Sequence, residues 1–373
     1  MKEQWRTKLL GDVLRETETV NPAAFPEVEF DYVDVSSVSN ETFAIETTQR
    51  LKGKDAPSRA RRRVRAKDVL FATIRPTLKR IAVTPDYLDG QVCSTGYFVM
   101  RPNDEIDSRF LFHYLFTEPF MAAMASLQKG ASYPAVSDAE VRSQTIMFPP
   151  IGEQRQIVAI LDEAFEGIAT AKAHAEINLR NAREVLDRHL AEFFSNRSEG
   201  WSSKAFEDCI EDVKYTNKIQ RKDFLTAGAF PVISQESEFI NGYWDNVTDV
   251  FKINSPLVVF GDHTQVLKYI DFDFVLGADG VKLLVPKAFL HPKFFYYALR
   301  AAPVRSLGYA RHYRLLKELQ IGFPSIAEQA SAVDRLDKAV EKVQRLGRIY
   351  AEKMGLLAAL KQSLLHQAFN GRL

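Results

Sequence analysis

An α+β architecture, two mixed globular segments each followed by a long α-helix, is predicted by three observations. The chain repeats itself: Phe148-Pro149-Pro150-Ile151-Gly152-Glu153-Gln154 returns as Phe323-Pro324-Ser325-Ile326-Ala327-Glu328-Gln329, 175 residues further on. Between 148–168 and 323–343 there are ten identities in 21 positions without a gap. After each copy the apolar residues step by four and three, the spacing of a helical seam. Before each copy, short apolar runs are bounded by Gly, Pro and Asp, the pattern of strands and turns. Two further markers recur in the same order. Trp5-x-x-Lys8-x-x-x-Asp12 matches Trp201-x-x-Lys204-x-x-x-Asp208, and Arg109-Phe110-Leu111-Phe112 with Leu115 matches Lys293-Phe294-Phe295-Tyr296 with Leu299. Ordered markers of this kind indicate tandem duplication of a whole unit.

Taken in chain order, the first globular segment is expected over 1–147, with strands at Val69–Ile74 and Tyr97–Met100, a turn at Asp86–Gly90, and a short buried helix at Phe110–Phe116. A helical segment follows over 148–197. Its seam is read as Ile157, Leu161, Ala164, Ile168, Ala171 and Ala175, then Ala182, Val185 and Phe193. The second globular segment spans 198–322, with strands at Leu257–Phe260 and Val281–Val285 and loops at Gly261–His263 and Gly277–Gly280. A short buried helix is expected at Phe294–Leu299. The last helical segment, 323–373, starts at Ser325-Ile326-Ala327-Glu328, a capping-box pattern. Pro150 stands at that place in the first copy, compatible with a helix's first turn. The second seam runs Leu336, Val340, Val343, Gly347, Tyr350, Met354, Leu357, Leu364 and Ala368, interrupted by Lys361. With about 40 residues each, the helices are on the order of 60 Å long. They are expected to pair with each other as a coiled coil inside one chain, which can be antiparallel; the alternative is that each packs on its own globular segment.

Composition excludes several classes. Hydrophobic residues make up 46% and charged residues 26% of the 373, enough for separate cores. No apolar run is long enough to span a membrane, and the start lacks a secretory pattern. Cys93 and Cys209 stand alone, without metal-ligand or disulfide spacing, so a cytoplasmic protein with reduced thiols is expected. No nucleotide-binding glycine loop, phosphate cradle or Asn-Pro-Pro-aromatic motif occurs. Pro85-Asp86 has no Asp/Glu-x-Lys partner nearby, and the seven His are scattered. No catalytic residue, metal site or cofactor is expected.

The net charge of +1 hides a local asymmetry. Residues 1–49 hold four basic and ten acidic side chains, whereas 50–80 hold twelve basic ones against Asp55 and Asp68. Such clustering makes a local positive potential whatever the total. Arg59, Arg61, Arg62, Arg63 and Arg65, with Thr73, Arg75, Lys79 and Arg80, are therefore candidate DNA contacts, since Arg both neutralises phosphates and reads guanine. Acidic residues folding back from 1–49 are the main objection, but a surplus of positive charge is expected to remain. Lys129 and Tyr133 extend the first candidate surface. In the second half the candidates are Asp262, His263, Thr264 and Lys268, and the cluster Tyr309, Arg311, His312 and Tyr313.

The repeated Phe-Pro-x-Ile-x-Glu-Gln helix start, placed twice after variable globular segments, resembles the specificity subunit of type I restriction-modification systems. Val69-Leu70-Phe71-Ala72-Thr73-Ile74-Arg75-Pro76 and Val259-Phe260-Gly261-Asp262-His263-Thr264 are similar to that family's target recognition domains. The resemblance implies two such domains held apart by an antiparallel coiled coil with pseudo-two-fold symmetry, each reading one half of a split, asymmetric DNA target. The helix pair would be the spacer, docking two modification subunits that carry S-adenosylmethionine and adenine methylation. A restriction subunit that translocates DNA would join them. Pro150 becoming Ser325 departs slightly from the motif. The second globular segment is also shorter, 122 residues from Trp201 to Phe323 against 143 from Trp5 to Phe148, which implies reduced DNA-reading loops. A coiled-coil scaffold that does not bind DNA is the rival reading, and an enzyme with a divergent nuclease or methyltransferase site a second.

Overall fold

The computed structural model describes residues 5–130, 132–196, 199–305, 307–308 and 310–373. The chain forms two compact units, Met1–His174 with Glu352–Leu373, and Ala175–Ala351. The unit boundary cuts both long helices. The fourfold division expected from sequence therefore describes chain order, while in packing each unit takes part of both helices.

In the first unit the strands are β1 (Arg6–Leu9), β2 (Leu14–Arg15), β3 (Glu29–Val33), β4 (Gln49–Lys52) and β5 (Ala60–Arg63). They continue with β6 (Val69–Ala72), β7 (Ile81–Val83), β8 (Val92–Ser94), β9 (Tyr97–Pro102) and β10 (Thr145–Phe148). Short helices α1 (Ser108–Tyr114), α2 (Glu118–Leu127) and α3 (Asp138–Arg142) precede the long α4 (Ile151–Ser195). One sheet has the order β2-β9-β6-β7 and another β4-β3-β8-β5, with β3 and β8 parallel. The unbroken apolar run at β6 follows from burial on both faces. Val69 and Phe71 enter a core with Phe110 and Phe120, and Leu70 and Ala72 enter another with Val33, Cys93 and Tyr97. β1 pairs with β10, bringing the start of the chain to its exit.

The second unit contains β11 (Ser202–Ala205), β12 (Lys218–Ile219), β13 (Phe230–Ile233), β14 (Gly242–Trp244) and β15 (Val250–Phe251). Next come β16 (Leu257–Gly261), β17 (Leu267–Ile270), β18 (Phe274–Gly277), β19 (Val281–Leu284) and β20 (Gln320–Phe323). Its helices are α5 (Pro292–Ala301), α6 (Tyr313–Lys317) and α7 (Ile326–Phe369). The plan repeats: β17-β16-β19 answers β7-β6-β9, β13 lies parallel to β18 as β3 does to β8, and β11 pairs with β20. The edge strand β2, paired as Leu14↔Pro102, shrinks here to the single bridge Ile210↔Pro286. Along β16, Val258 and Phe260 face one core while Leu257 and Val259 face the other.

Within each unit the two long helices run antiparallel. In the first, Ile157 and Leu161 of α4 share a core with Leu365 and Ala368 of α7. In the second, Leu186 and Leu190 pack with Leu336, and Leu179 lies beside Gly347. The α7 seam follows the expected positions. On α4 the seam shifts by one residue near its end: Val185 is 58% exposed, and Leu186 and Leu190 take the inward places. Heptad counting alone did not register that slip. The interruption at Lys361 has a local cause, because its ammonium lies 5.0 Å from the Phe43 ring centroid and 4.7 Å from that of Phe165. Two aromatic faces suit a cation at a seam position. Among the described residues no helix is long and apolar enough to cross a membrane.

Candidate nucleic-acid interface

The repeated motif is a clamp that fixes each globular segment to its helix. The buried Gln154 side chain donates to the carbonyls of Glu105 and Pro149, both at 2.8 Å, and accepts from the Asp107 amide at 2.8 Å. Gln329 makes the same three bonds, donating to Phe289 and Pro324 and accepting from the His291 amide. One amide side chain, with donor and acceptor at fixed geometry, satisfies backbone groups that burial would otherwise orphan. About two turns along the helix, Asp162 accepts from Arg109 at 2.5 Å and meets His113 Nε2 at 2.7 Å. Its counterpart Asp337 accepts from Lys293 at 2.7 Å and from the Tyr297 hydroxyl. Burial opposes ionisation of Asp162, but the His113 and Arg109 bonds prevail and hold its carboxyl at about 2. At the helix starts, the Ser325 amide and hydroxyl donate to Glu328, while Trp5 Nε1 donates to Glu153.

On the first unit the arginine run is not a free loop. Arg61, Arg62 and Arg63 lie on β5, whose outer edge is covered by the segment at 18–20 through Val20 N to Arg61 O and Arg63 N to Glu18 O. Five of the twelve clustered cations are ion-paired: Arg50 with Glu29 and Asp31, Lys52 and Lys54 with Glu27, Arg62 with Asp138, and Arg65 with Glu18 and Asp89. The acidic first segment thus neutralises more of the cluster than expected, because β3 and β4 pair Glu29 and Asp31 opposite Lys52 and Arg50. Arg59, Arg61, Arg63, Lys67, Arg75, Lys79 and Arg80 have no carboxylate partner among the described residues. A positive surplus remains, shared between Arg59, Arg61 and Arg63 around β5 and Arg75, Lys79 and Arg80 of the 73–80 loop.

That loop is built to present Arg75. Thr73 is buried, its hydroxyl donating to Gly96 O, and Arg80 donates to the carbonyls of Val35 and Val38, so both hold the loops rather than face outward. Arg75 and Lys79 adopt left-handed backbone, φ 49 and 56, at a cost of about 1–2 kcal/mol each. The bonds Arg75 N to Pro134 O and Lys79 N to Pro76 O hold them there. The Arg75 guanidinium donates to Ser132 O at 3.0 Å and stacks 5.1 Å from the ring centroid of Tyr133, itself 72% exposed. An arginine held over an exposed ring is restricted in position while its remaining N–H groups stay available as donors. Lys129 is exposed and paired with Glu140, and Arg59 is exposed where its carbonyl accepts from Thr95 N.

In the second unit three of the candidates, Asp262, Lys268 and His312, turn inward. Asp262 is buried: its carboxylate accepts from Tyr313 N, and its carbonyl accepts from the amide and Nδ1 of His312. His312 Nε2 accepts from Leu307 N, which sets the tautomer with hydrogen on Nδ1. The Lys268 ammonium donates to Glu238 O and Asn241 Oδ1, and burial brings its pKa down to about 8. Thr264 donates to Gln235 O, and the His263 amide donates to Gln235 Oε1. These groups shape the 262–268 loop. Arg311 is exposed and Tyr313 half-buried, and Tyr309 lies outside the described residues.

Several residues had not been singled out. Tyr215, Lys218 and Lys282 gather near Tyr313, and the available signal was a lysine set inside the apolar run of β19. The clamp residues Gln154, Asp162, Gln329 and Asp337 were visible as identities, and polar identity within a long helix was the sign of their role. Each unit also carries a groove at the matched place. Tyr114, Pro119, Thr145, Met147 and Phe369 line the first, and Ala298, Pro303, Gln320, Gly322 and Phe194 the second.

Comparison with known proteins agrees with this architecture. Residues 2–179 match the type I restriction modification DNA specificity domain. The type I restriction enzyme HindI specificity subunit of Haemophilus influenzae is 28% identical over 162 residues, covering 42% of this chain and only 34% of that protein. A chain solved in work on complex assembly and conformational transition of the type I R-M system is 28% identical, covers 100% of both chains and superposes with a TM-score of 0.86. The HsdS subunit from Thermoanaerobacter tengcongensis is 28% identical with a TM-score of 0.61, covering 99% of this chain and 97% of that one. The chain resembles the specificity subunits of type I restriction-modification systems.

Proposed function

We propose that this chain reads a split, asymmetric duplex DNA target, one half-site with each unit, as the non-catalytic recognition subunit of a type I restriction-modification complex. The observation that carries the reading is the duplication down to single hydrogen bonds: Gln154 and Gln329 make the same three bonds, yet they hold faces of different charge. A protein that reads two unlike half-sites needs one frame twice and two different surfaces. On the first unit Arg75, preset on Tyr133, is the base-reading candidate, and Arg59, Arg61, Arg63 and Lys79 are phosphate contacts. The helix pair sets the gap between half-sites. Two modification subunits dock on the chain, and the matched grooves suit two copies of one partner. These subunits supply S-adenosylmethionine and the methylation chemistry, and a restriction subunit that translocates DNA completes the complex.

The test is methylation sequencing of a host that carries this gene with its partner genes. A two-part methylated motif with a fixed unspecified gap is expected. A continuous motif, or none, overturns the reading.

A further inference from the structure

The second unit has surplus positive charge where the first has a neutralised pair. Tyr313 occupies the place of Asp138, each opening the short helix before the repeated motif, and Lys282 on β19 occupies the place of Phe98 on β9. In the first unit Asp138 holds Arg62 at 2.6 Å, and the Arg142 guanidinium covers the buried Phe98 ring at 5.2 Å. In the second the ring and the cation exchange elements: the Lys282 ammonium lies 5.1 Å from the Tyr313 ring centroid. Lys218 lies 4.9 Å from the ring of Tyr215, whose hydroxyl accepts from Leu283 N at 3.0 Å and is thereby pinned to β19.

We propose that Lys218 and Lys282, framed by Tyr215 and Tyr313, form a contact of the second unit for the phosphate backbone of duplex DNA. The proposal rests on the DNA-reading function above and replaces the 262–268 loop as that unit's main contact. Neither lysine has a carboxylate at ion-pair distance among the described residues. Lys317, the third cation at Tyr313, is already taken by Glu207 at 2.6 Å. Asp279 is the carboxylate that acts on Lys218 from longer range, against the repulsion of Lys282. Burial and that repulsion both lower the pKa of Lys218, so the pair lacks a counter-ion that a phosphate oxygen would supply. An ammonium is a point charge without the fork geometry that reads a base edge, which favours phosphate over base. The Tyr rings limit where the two ammonium groups can go, so the charge is placed before DNA arrives.

The test uses the full chain assembled with its modification subunits, binding cognate and scrambled duplexes over a salt series. Lys218→Ala with Lys282→Ala should lower the slope of log K against log salt by about 1.8, near 0.9 per lost contact, and weaken both duplexes alike. Lys218→Arg with Lys282→Arg should keep the wild-type slope, and the methylated motif should stay the same in both double variants. A wild-type slope in the alanine pair overturns the proposal, as does an equal loss in the arginine pair, which would mark a packing role. A motif change at one base position would show base reading instead of phosphate contact. If the wild-type complex binds no duplex, the DNA-reading function itself fails, separately from this assignment.

Discussion

In the first unit Asp162 is gripped by Arg109 and His113, and in the second Asp337 is gripped by Lys293 and Tyr297. The partners differ, yet a cation and a ring donor reach the carboxylate each time, and Gln154 and Gln329 bond to matched backbone groups without change. Farther out the likeness stops. The edge of β8 carries the arginines of β5, whereas the matching edge of β18 carries Val250–Phe251 and Lys218–Ile219. A clamp demands fixed donor geometry and so keeps its chemistry, while a surface in contact with a variable partner needs only a stable support beneath it. The two units thus separate what holds the fold from what it presents.

The largest expected effect comes from changing the shared frame. Deleting residues 172–178 together with 348–354 removes a matched heptad from both helices and leaves the clamps intact. The gap in the methylated motif should shorten, or methylation should be lost. An unchanged gap would remove the helices as the spacer.

Breaking one clamp should affect its own unit more than the other. Gln154→Ala leaves the Asp107 amide and two carbonyls unsatisfied, and Gln329→Ala does the same at His291. Each is expected to cost about 1–3 kcal/mol. Hydrogen exchange should show loss of protection concentrated in the unit that holds the substitution. Equal loss in both units would mean the clamps are not local.

Asp162→Asn should cost less, about 1–2 kcal/mol, because Asp162 and its Arg109 partner are part-exposed. Its folded pKa is lowered, so its stabilisation is fully present above about pH 4 and is lost as pH falls through about 2. Melting temperatures of wild type and variant should therefore differ near neutral pH, change where the buried His113 takes up its proton, and converge toward pH 2. A difference that persists undiminished to pH 2 would assign the loss to packing instead.

The recognition face sharpens the comparison with smaller effects. Arg75→Ala should weaken one base position of the first half-site by about 1–3 kcal/mol. Arg61/Arg62/Arg63→Ala should lower the salt slope by less than three full contacts, near 0.9 each, because Arg62 is bound to Asp138. Unchanged affinity and slope in the triple variant would leave β5 a structural edge only.

The frame was largely legible in the sequence. Short apolar runs bounded by turn residues located β6, β9, β16 and β19, the Ser-x-x-Glu pattern located the start of α7, and four-three spacing located the α7 seam. Where the reading failed, the missing quantity was three-dimensional. Thr73, Asp262 and Lys268 are polar residues in loop-like stretches, and nothing local shows that they turn inward to bond backbone. Pairing Glu27 with Lys52, or Asp138 with Arg62, depends on sheet register and on long-range packing. Val185 and Leu186 differ by one helical position, which apolar character alone does not resolve. Lys218 and Lys282 come together only when β12 and β19 are placed in the folded unit.

Independent reading by the two units on a common frame is what the proposed function requires. Replacing residues 201–322 with the matching segment of a relative, and sequencing the methylated sites of a host that carries the chimera with the partner genes, tests it most directly. One part of the motif should change while the other part and the gap stay as in the wild type. A change in both parts, with methylation retained, would contradict it.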